Sequence, residues 1–109
     1  MDNELKQLIQ KNVKFIDLRS EKEFRKGSIP NAVNIPILTS NEYESVGIEY
    51  KLYGKTAAIN LGHKLVSGEV KKERIRDWCK FINKNPKTKI FCNRGGMRSK
   101  IALEWINQT

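Results

Sequence analysis

The sequence predicts an α/β domain with a mainly parallel sheet. Three short apolar segments alternate with segments of helical periodicity. The last apolar segment runs directly into a glycine-containing turn and then a helix, an arrangement typical of a strand–loop–helix unit. A chain of 109 residues suits a single small domain, 1–109, and lacks the run of about 18 apolar residues that a membrane span needs.

The individual elements follow from local patterns. Apolar residues at i, i+3, i+4 and i+7 indicate helices, and short runs rich in β-branched and aromatic residues indicate strands. In chain order we predict a helix at 3–11, a strand at 13–18, a short helix at 21–26 ended by Gly27, a strand at 32–35, two helical pieces within 41–66 broken near Gly54, a helix at 69–83, a strand at 89–92 and a helix at 98–107. Reactive groups of parallel sheets gather at the carboxyl ends of strands, where Cys92 stands.

The charge is unevenly distributed. The net charge is +9; residues 1–54 carry eight basic and eight acidic side chains, and residues 55–109 carry thirteen basic and four acidic. The basic half contains Cys92, which favours a polyanionic partner near it. A solvated lysine-rich face is the alternative. The N-terminus has no apolar signal segment, so we expect a cytoplasmic protein.

The loop that follows Cys92 has the composition of an anion-binding active site. A helix N-terminus and nearby arginines favour a thiolate, and adjacent glycines let backbone N–H groups converge on an anion. We predict Cys92 and Arg98 as catalytic residues. The anion-binding loop comprises Asn93, Arg94, Gly95, Gly96, Met97 and Ser99, the last as a helix cap or a donor to the anion. A buried cysteine beside an ordinary glycine turn is the structural alternative.

The remaining cysteine and histidine predict no metal site. Cys79 lies beside Trp78 on the apolar stripe of a predicted helix, which indicates an inert core position. His63 is the single histidine, and no Cys/His spacing suits zinc. Trp78 and Trp105 both fall on apolar stripes and are predicted to be core residues.

Several segments resemble the rhodanese family. They are Asp17-Leu18-Arg19-Ser20, Glu23-Phe24, Gly27 to Pro36 and the Cys92 loop. The chain resembles one branch in particular, the rhodanese domains of the tRNA 2-selenouridine synthases. This resemblance lies in the stretches from Tyr43 to Tyr53 and from Ala57 to Gly68 and in the loop sequence Cys-Asn-Arg-Gly-Gly-Met-Arg-Ser. The resemblance covers about residues 13–107.

The resemblance implies a rhodanese-like three-layer fold and a selenotransferase or sulfurtransferase activity. Cys92 would be the essential thiol in replacing sulfur by selenium at a wobble 2-thiouridine of tRNA. Selenophosphate would be the selenium donor, a substrate rather than a bound cofactor. Ordinary rhodaneses place four residues between the cysteine and the arginine, whereas five stand between Cys92 and Arg98. A wider loop favours a tetrahedral oxyanion.

The same resemblance assigns supporting roles. Asp17, Arg19 and Glu23 would brace the fold near the loop, with Arg19 and Glu23 as an ion pair. The setting of His63 and Lys64 in a branch-specific segment makes them candidates for tRNA contacts, with a surface or packed histidine as the alternative for His63. Independently of the resemblance, five basic residues share the predicted helix 69–83, whose other face is apolar, and are candidates for phosphate contacts, with a solvated face as the alternative: Lys71, Lys72, Arg74, Arg76 and Lys80.

The full synthases also carry a P-loop domain. Its motif, a glycine separated by four residues from Gly-Lys-Ser or Gly-Lys-Thr, is absent here. Gly54-Lys55-Thr56 matches the end of the motif, but Glu49 occupies the position of its first glycine. We therefore expect a separate P-loop chain as partner, and a minimal sheet that lacks its outer strands and leaves 89–92 at an open edge. Two other functions stay open: a cysteine-dependent phosphatase or arsenate-reductase-like enzyme, and a non-catalytic tRNA-binding module.

Overall fold

The computed structural model describes residues 3–93 and 96–108. Within these residues, helices and strands alternate as the sequence predicts, with boundaries that differ by a few residues. The elements are α1 (Asn3–Gln10), β1 (Phe15–Asp17), α2 (Glu21–Arg25), β2 (Ala32–Asn34), α3 (Ser40–Tyr53), α4 (Lys55–Leu65), α5 (Gly68–Lys84), β3 (Lys89–Phe91) and α6 (Met97–Asn107).

Local side-chain chemistry sets several of these boundaries. Ser20 and Glu23 form a reciprocal capping box at the start of α2, and Thr39 and Glu42 form another at the start of α3. Gly54 separates α3 from α4 with φ of 91°, a conformation that side-chain-bearing residues rarely adopt. The predicted break near Gly54 is therefore confirmed.

The three strands form a parallel sheet in the order β2-β1-β3. Ile16 of the central strand pairs with Val33 on one side and with Ile90 on the other. All three residues of β1 are buried, as expected for a central strand. The α/β class with a small parallel sheet is confirmed.

Strand β3 lies at an edge of this sheet. The Lys89 N–H donates to the Lys14 carbonyl at 3.0 Å, and the Phe91 carbonyl accepts from the Leu18 N–H at 3.0 Å. Alternate residues of a parallel strand face opposite neighbours, so the backbone groups of Ile90 point away from β1. No described residue pairs with that outer side, which agrees with the predicted open edge.

The core lies between the sheet and helices α5 and α6. Trp78 is completely buried, stacks on Trp105 with ring centroids 6.2 Å apart, and donates its indole N–H to the Ile35 carbonyl at 2.9 Å. The core positions predicted for both tryptophans are confirmed. Cys79 is only half-buried and lies outside the core cluster, so the prediction for this residue is wrong. The apolar stripe of α5 is rotated relative to the predicted one, because Phe81 takes the place of Cys79 beside Ile75, Trp78 and Ile82.

Across the described part of the chain, no helix is both long enough and apolar enough to cross a membrane.

Candidate active site

Cys92 occupies the junction between β3 and α6, at the carboxyl end of its strand. Its side chain is half-buried, and its Sγ lies 3.3 Å from the backbone nitrogen of Ser99, which donates to it. The Cys92 thiol, a weak donor, also donates to the Asn93 carbonyl, with 3.5 Å between Sγ and the oxygen. The Ser99 N–H belongs to the first turn of α6, where N–H groups have no helical partner and favour an anion. The sulfur therefore accepts an N–H of a helix terminus that favours anions.

The turn between Cys92 and α6 depends on Gly96. This residue has φ of 65° and is the N-cap of α6, and its N–H donates to the Asn93 carbonyl at 3.1 Å. The role of helix cap proposed for Ser99 is thus taken by Gly96, and Ser99 contributes its backbone to the sulfur instead. Arg94 and Gly95, two of the predicted anion-binding residues, lie outside the described residues.

Glu23 connects the two ends of the loop. Its carboxylate accepts from Arg98 Nη1 at 2.9 Å and Nη2 at 3.3 Å, and from the Asn93 side-chain amide at 3.0 Å. The Ser20 backbone N–H adds a further hydrogen bond at 2.8 Å. Burial raises the pKa of Glu23, but hydrogen bonds from Arg98 and Ser20, with the charge of Arg98, outweigh it and lower the pKa to about 2.

The predicted ion pair between Arg19 and Glu23 is wrong. Arg19 Nη2 instead lies 2.8 Å from Asp17 Oδ2, and its Nε donates to Asp17 Oδ1 at 3.0 Å. Arg19 is two residues from Asp17 and reaches it directly, whereas the capping box turns Glu23 toward the Cys92 loop. The hydrogen bond to Asp17 raises the pKa of Arg19.

The Asp17–Arg19 pair braces the loops around β1. Asp17 is fully buried and also accepts from the Ser28 hydroxyl at 2.8 Å and from the Arg19 backbone N–H at 2.9 Å. Arg19 Nη2 donates onward to the Gly27 carbonyl at 2.7 Å. Both carboxylate oxygens of Asp17 are therefore occupied by donors, which suits a structural role and leaves it poorly placed to donate a proton.

Tyr43 is a site residue that the sequence analysis missed. Its ring lies under the Arg98 guanidinium, 5.0 Å from the Arg98 Cζ atom, and the residue is 37% exposed. Arg98 is therefore held between a carboxylate and an aromatic face. Tyr43 belongs to α3, far from the loop in sequence, and the only signal for it was its place in a segment shared with the synthase branch.

An apolar cavity of about 380 Å³ opens beside Arg98. Helices α3, α4 and α6 contribute side chains to it, including Val46, Ile59, Met97 and Ile101. Met97 thus faces this cavity as well as belonging to the loop. The cavity offers an apolar surface next to the anion-binding groups.

The predicted tRNA contacts separate into three groups. His63 and Lys71 meet at Trp105, with the His63 ring 6.0 Å and the Lys71 Nζ 4.8 Å from the indole ring. Arg74 is half-buried; it pairs with Glu42 at 3.2 Å and donates to the Ile37 carbonyl, so it has a structural role rather than the exposed one predicted. The others are exposed: Lys64, Lys72, Arg76 and Lys80.

The exposed face of α5 is less positive than its basic residues indicate. Lys72, Arg76, Lys80 and Lys84 recur every four residues, and Glu69, Glu73 and Asp77 form a parallel acidic row. Lys72 already lies 3.5 Å from Glu69. Interleaved rows of opposite charge reduce the attraction of this face for a polyanion.

The fold and the Cys92 loop together define the class of the protein. The family model for the rhodanese-like domain matches residues 1–108, and the chain belongs to this family. Among curated proteins the chain is 43% identical to the tRNA 2-selenouridine synthase of Bdellovibrio bacteriovorus over 106 residues, which cover 97% of this chain and 28% of the relative. It is 44% identical to the tRNA 2-selenouridine synthase of Sulfurovum sp. over 104 residues, which cover 95% of this chain and 29% of the relative.

A solved structure supports the same fold. It is the crystal structure of the N-terminal domain of a protein described as ATP/GTP-binding, from Clostridium difficile 630. That domain is 32% identical in sequence, with a TM-score of 0.72, and the match covers 89% of this chain and 74% of the other. The chain thus spans most of a solved domain, but only about a quarter of the length of the curated relatives it matches.

Proposed function

We propose that this chain is the rhodanese part of a tRNA 2-selenouridine synthase, a selenium- or sulfur-transferring enzyme of the cytoplasm. The observation that carries the proposal is the contact between Cys92 Sγ and the Ser99 N–H at the start of α6. This contact supports a reactive thiol at Cys92, because a helix terminus that favours anions lies beside the sulfur. The names of the similar synthases support tRNA as the substrate class. The resemblance to that family adds a 2-thiouridine at the wobble position as the reacting nucleoside.

In this function Cys92 provides the thiolate, and its loop holds the selenophosphate anion. Each terminal nitrogen of Arg98 donates one N–H to the Glu23 carboxylate. The other N–H donors of the guanidinium remain for an oxyanion. Glu23 and Tyr43 fix the direction in which those donors point. Asn93 positions the loop through Glu23 rather than through a direct side-chain contact to the anion.

A P-loop polypeptide would complete the enzyme. The curated relatives are about four times as long as the matched segment, and the solved neighbour is the N-terminal domain of an ATP/GTP-binding protein. These relationships support a nucleotide-binding partner that acts together with this chain.

The phosphatase alternative has the right spacing, but its candidate acid among the described residues is already occupied. A cysteine phosphatase needs a group that protonates the leaving oxygen. Asp17 is the nearby candidate, and both of its carboxylate oxygens already accept hydrogen bonds. This geometry favours selenium or sulfur transfer over phosphate-ester hydrolysis.

The test combines this chain with the P-loop protein of the same cell, tRNA carrying 2-thiouridine and selenophosphate. The nucleoside product is followed by mass spectrometry for the wild type, Cys92→Ser and, as a matched control, Cys79→Ser. We expect selenouridine from the wild type and from Cys79→Ser, and none from Cys92→Ser. Equal product from all three would identify a non-catalytic tRNA-binding module, and no product from any would favour the phosphatase, to be tested with small phosphate esters and arsenate.

A further inference from the structure

A basic groove lies at the opposite end of the sheet from Cys92. Two turns form its walls: the turn from α1 into β1 and the turn from α5 into β3. The groove has a volume of about 340 Å³, and its lining includes Lys11, Lys14, Lys84 and Lys87. We name it the four-lysine groove.

The cations of the four-lysine groove are not neutralised. All four lysines are exposed, and none of them forms an ion pair with a described residue. Among the described residues that line the groove, none is acidic. This differs from the earlier turns of α5, because the acidic row beside the basic one ends at Asp77, seven residues before Lys84. The groove therefore concentrates positive charge that the fold itself does not use.

Backbone hydrogen bonds form within each wall and join the two walls to each other. Asn12 adopts φ of 58°, and the Val13 N–H closes the end of α1 by donating to the Leu8 carbonyl at 3.1 Å. In the other wall, the Thr88 N–H donates to the Asn85 carbonyl at 3.0 Å. The Lys89 N–H then joins the walls by donating to the Lys14 carbonyl at 3.0 Å. The lysines thus project from a preorganised frame.

We propose that the four-lysine groove binds the phosphate backbone of RNA, as a second contact for the tRNA whose wobble nucleoside reaches Cys92. The proposal rests on the proposed function for its RNA. A lysine ammonium is a point charge that suits phosphate without reading base sequence. From Thr88 to Cys92 the chain covers about 13 Å along a strand, so the groove and the reactive sulfur lie on distinct parts of the surface. An RNA much larger than this distance can contact both.

The test uses the full chain with four lysines changed to glutamine: Lys11, Lys14, Lys84 and Lys87. The matched control carries the same loss of charge at four exposed lysines elsewhere that form no ion pair with a described residue: Lys6, Lys26, Lys51 and Lys100. Fluorescence anisotropy with a labelled tRNA transcript gives the dissociation constant at several salt concentrations. Urea unfolding checks that both variants fold as the wild type does.

We expect the groove variant to lose tRNA affinity by more than about tenfold and to lower the slope of log K against log salt by about 3. The control variant should change the slope by less than about 1. An equal loss in both variants would overturn the proposal, because net charge alone would then account for the binding. A groove variant with the wild-type tRNA affinity would overturn the proposal as well.

Two further measurements complete the test. Vesicle binding distinguishes an RNA site from a membrane site, and the selenouridine assay distinguishes failure of the groove proposal from failure of the proposed function. If the groove variant lost binding to vesicles that contain phosphatidylglycerol but kept its tRNA affinity, the groove would be a membrane site and the proposal would fail. Formation of selenouridine by the wild type but not by Cys92→Ser, together with unchanged tRNA binding by the groove variant, would refute the groove and retain the proposed function. Loss of tRNA binding in the groove variant, without selenouridine from the wild type, would support the groove and refute the proposed function.

Discussion

Arg98 and Glu23 face each other across the base of the Cys92 loop, joined by two hydrogen bonds of 2.9 and 3.3 Å. Arg98 lies in the first turn of α6 and Glu23 in the first turn of α2, and each side chain is only 16% exposed. The pair therefore fixes the direction of the Arg98 guanidinium before a ligand arrives. The pair also connects the capping box of α2 to the Cys92 loop, because the Glu23 carboxylate belongs to both.

The first prediction concerns the stability of this pair against pH. The pKa of Glu23 in the folded protein is lowered from 4.5 to about 2, so the ionised form stabilises the fold above the ordinary pKa. This contribution, about 1 kcal/mol after solvent screening, is lost as the pH falls from 4.5 toward 2. Urea unfolding of the wild type and Glu23→Gln should therefore differ at pH 7 and converge near pH 2. A constant difference across this range would contradict the assignment.

The second prediction concerns the turn before α6. Gly96→Ala places a side chain at φ of 65°, which should lower the free energy of unfolding by about 1 kcal/mol and displace the Ser99 N–H from the sulfur. An added Cβ meets no atom within 4 Å, so the effect would come from the backbone and not from a clash. Gly62→Ala is the matched control, since Gly62 lies inside α4 at an ordinary φ and has the same open space.

Gly62→Ala should leave stability unchanged or raise it by up to about 1 kcal/mol, because alanine favours a helix interior. Thermal unfolding and the rate at which Cys92 reacts with iodoacetamide measure the two effects. If both variants reacted at the wild-type rate and had the same stability, the positive φ at Gly96 would have no role in placing the thiol.

The third prediction concerns Tyr43. Tyr43→Leu removes the aromatic face under Arg98, a contact worth about 0.5–1 kcal/mol, and should raise the KM for selenophosphate by a few-fold. Tyr43→Phe retains the ring and should keep the wild-type KM. The measurement is the initial rate of selenouridine formation against selenophosphate concentration. If Tyr43→Phe were as impaired as Tyr43→Leu, the hydroxyl and not the ring would be responsible.

Much of this architecture follows from local sequence patterns. The alternation of strands and helices, the break at Gly54 and the position of Cys92 at a strand end are all local or periodic features, and they were predicted. Side-chain partners were not, because they depend on tertiary placement. Two arginines could pair with Glu23: Arg19, four residues away in sequence, and Arg98, 75 residues away. Glu23 pairs with Arg98 because of the orientation of α2, which the sequence does not show. The contact of Tyr43 with Arg98 joins two helices and has no local signal for the same reason.

Arg74 and Arg76 provide the last prediction, because they are close in sequence but differ in environment. Arg74 is half-buried between Glu42 and the Ile37 carbonyl, whereas Arg76 is exposed. Arg74→Gln leaves Glu42 without its cation and should lower the free energy of unfolding by about 2 kcal/mol. Arg76→Gln should change it by less than about 0.5 kcal/mol.

Binding to tRNA should respond in the opposite way. Arg74→Gln removes a charge that is already paired, so at temperatures where the variant is folded its tRNA affinity should equal that of the wild type. Arg76→Gln removes an exposed charge and should weaken binding by no more than about fivefold, since the neighbouring acidic row offsets part of its attraction. Anisotropy titrations alongside urea unfolding compare the two arginines directly. A loss of affinity confined to Arg74→Gln would show that the Arg74 side chain leaves Glu42 to contact RNA, and would refute its structural role.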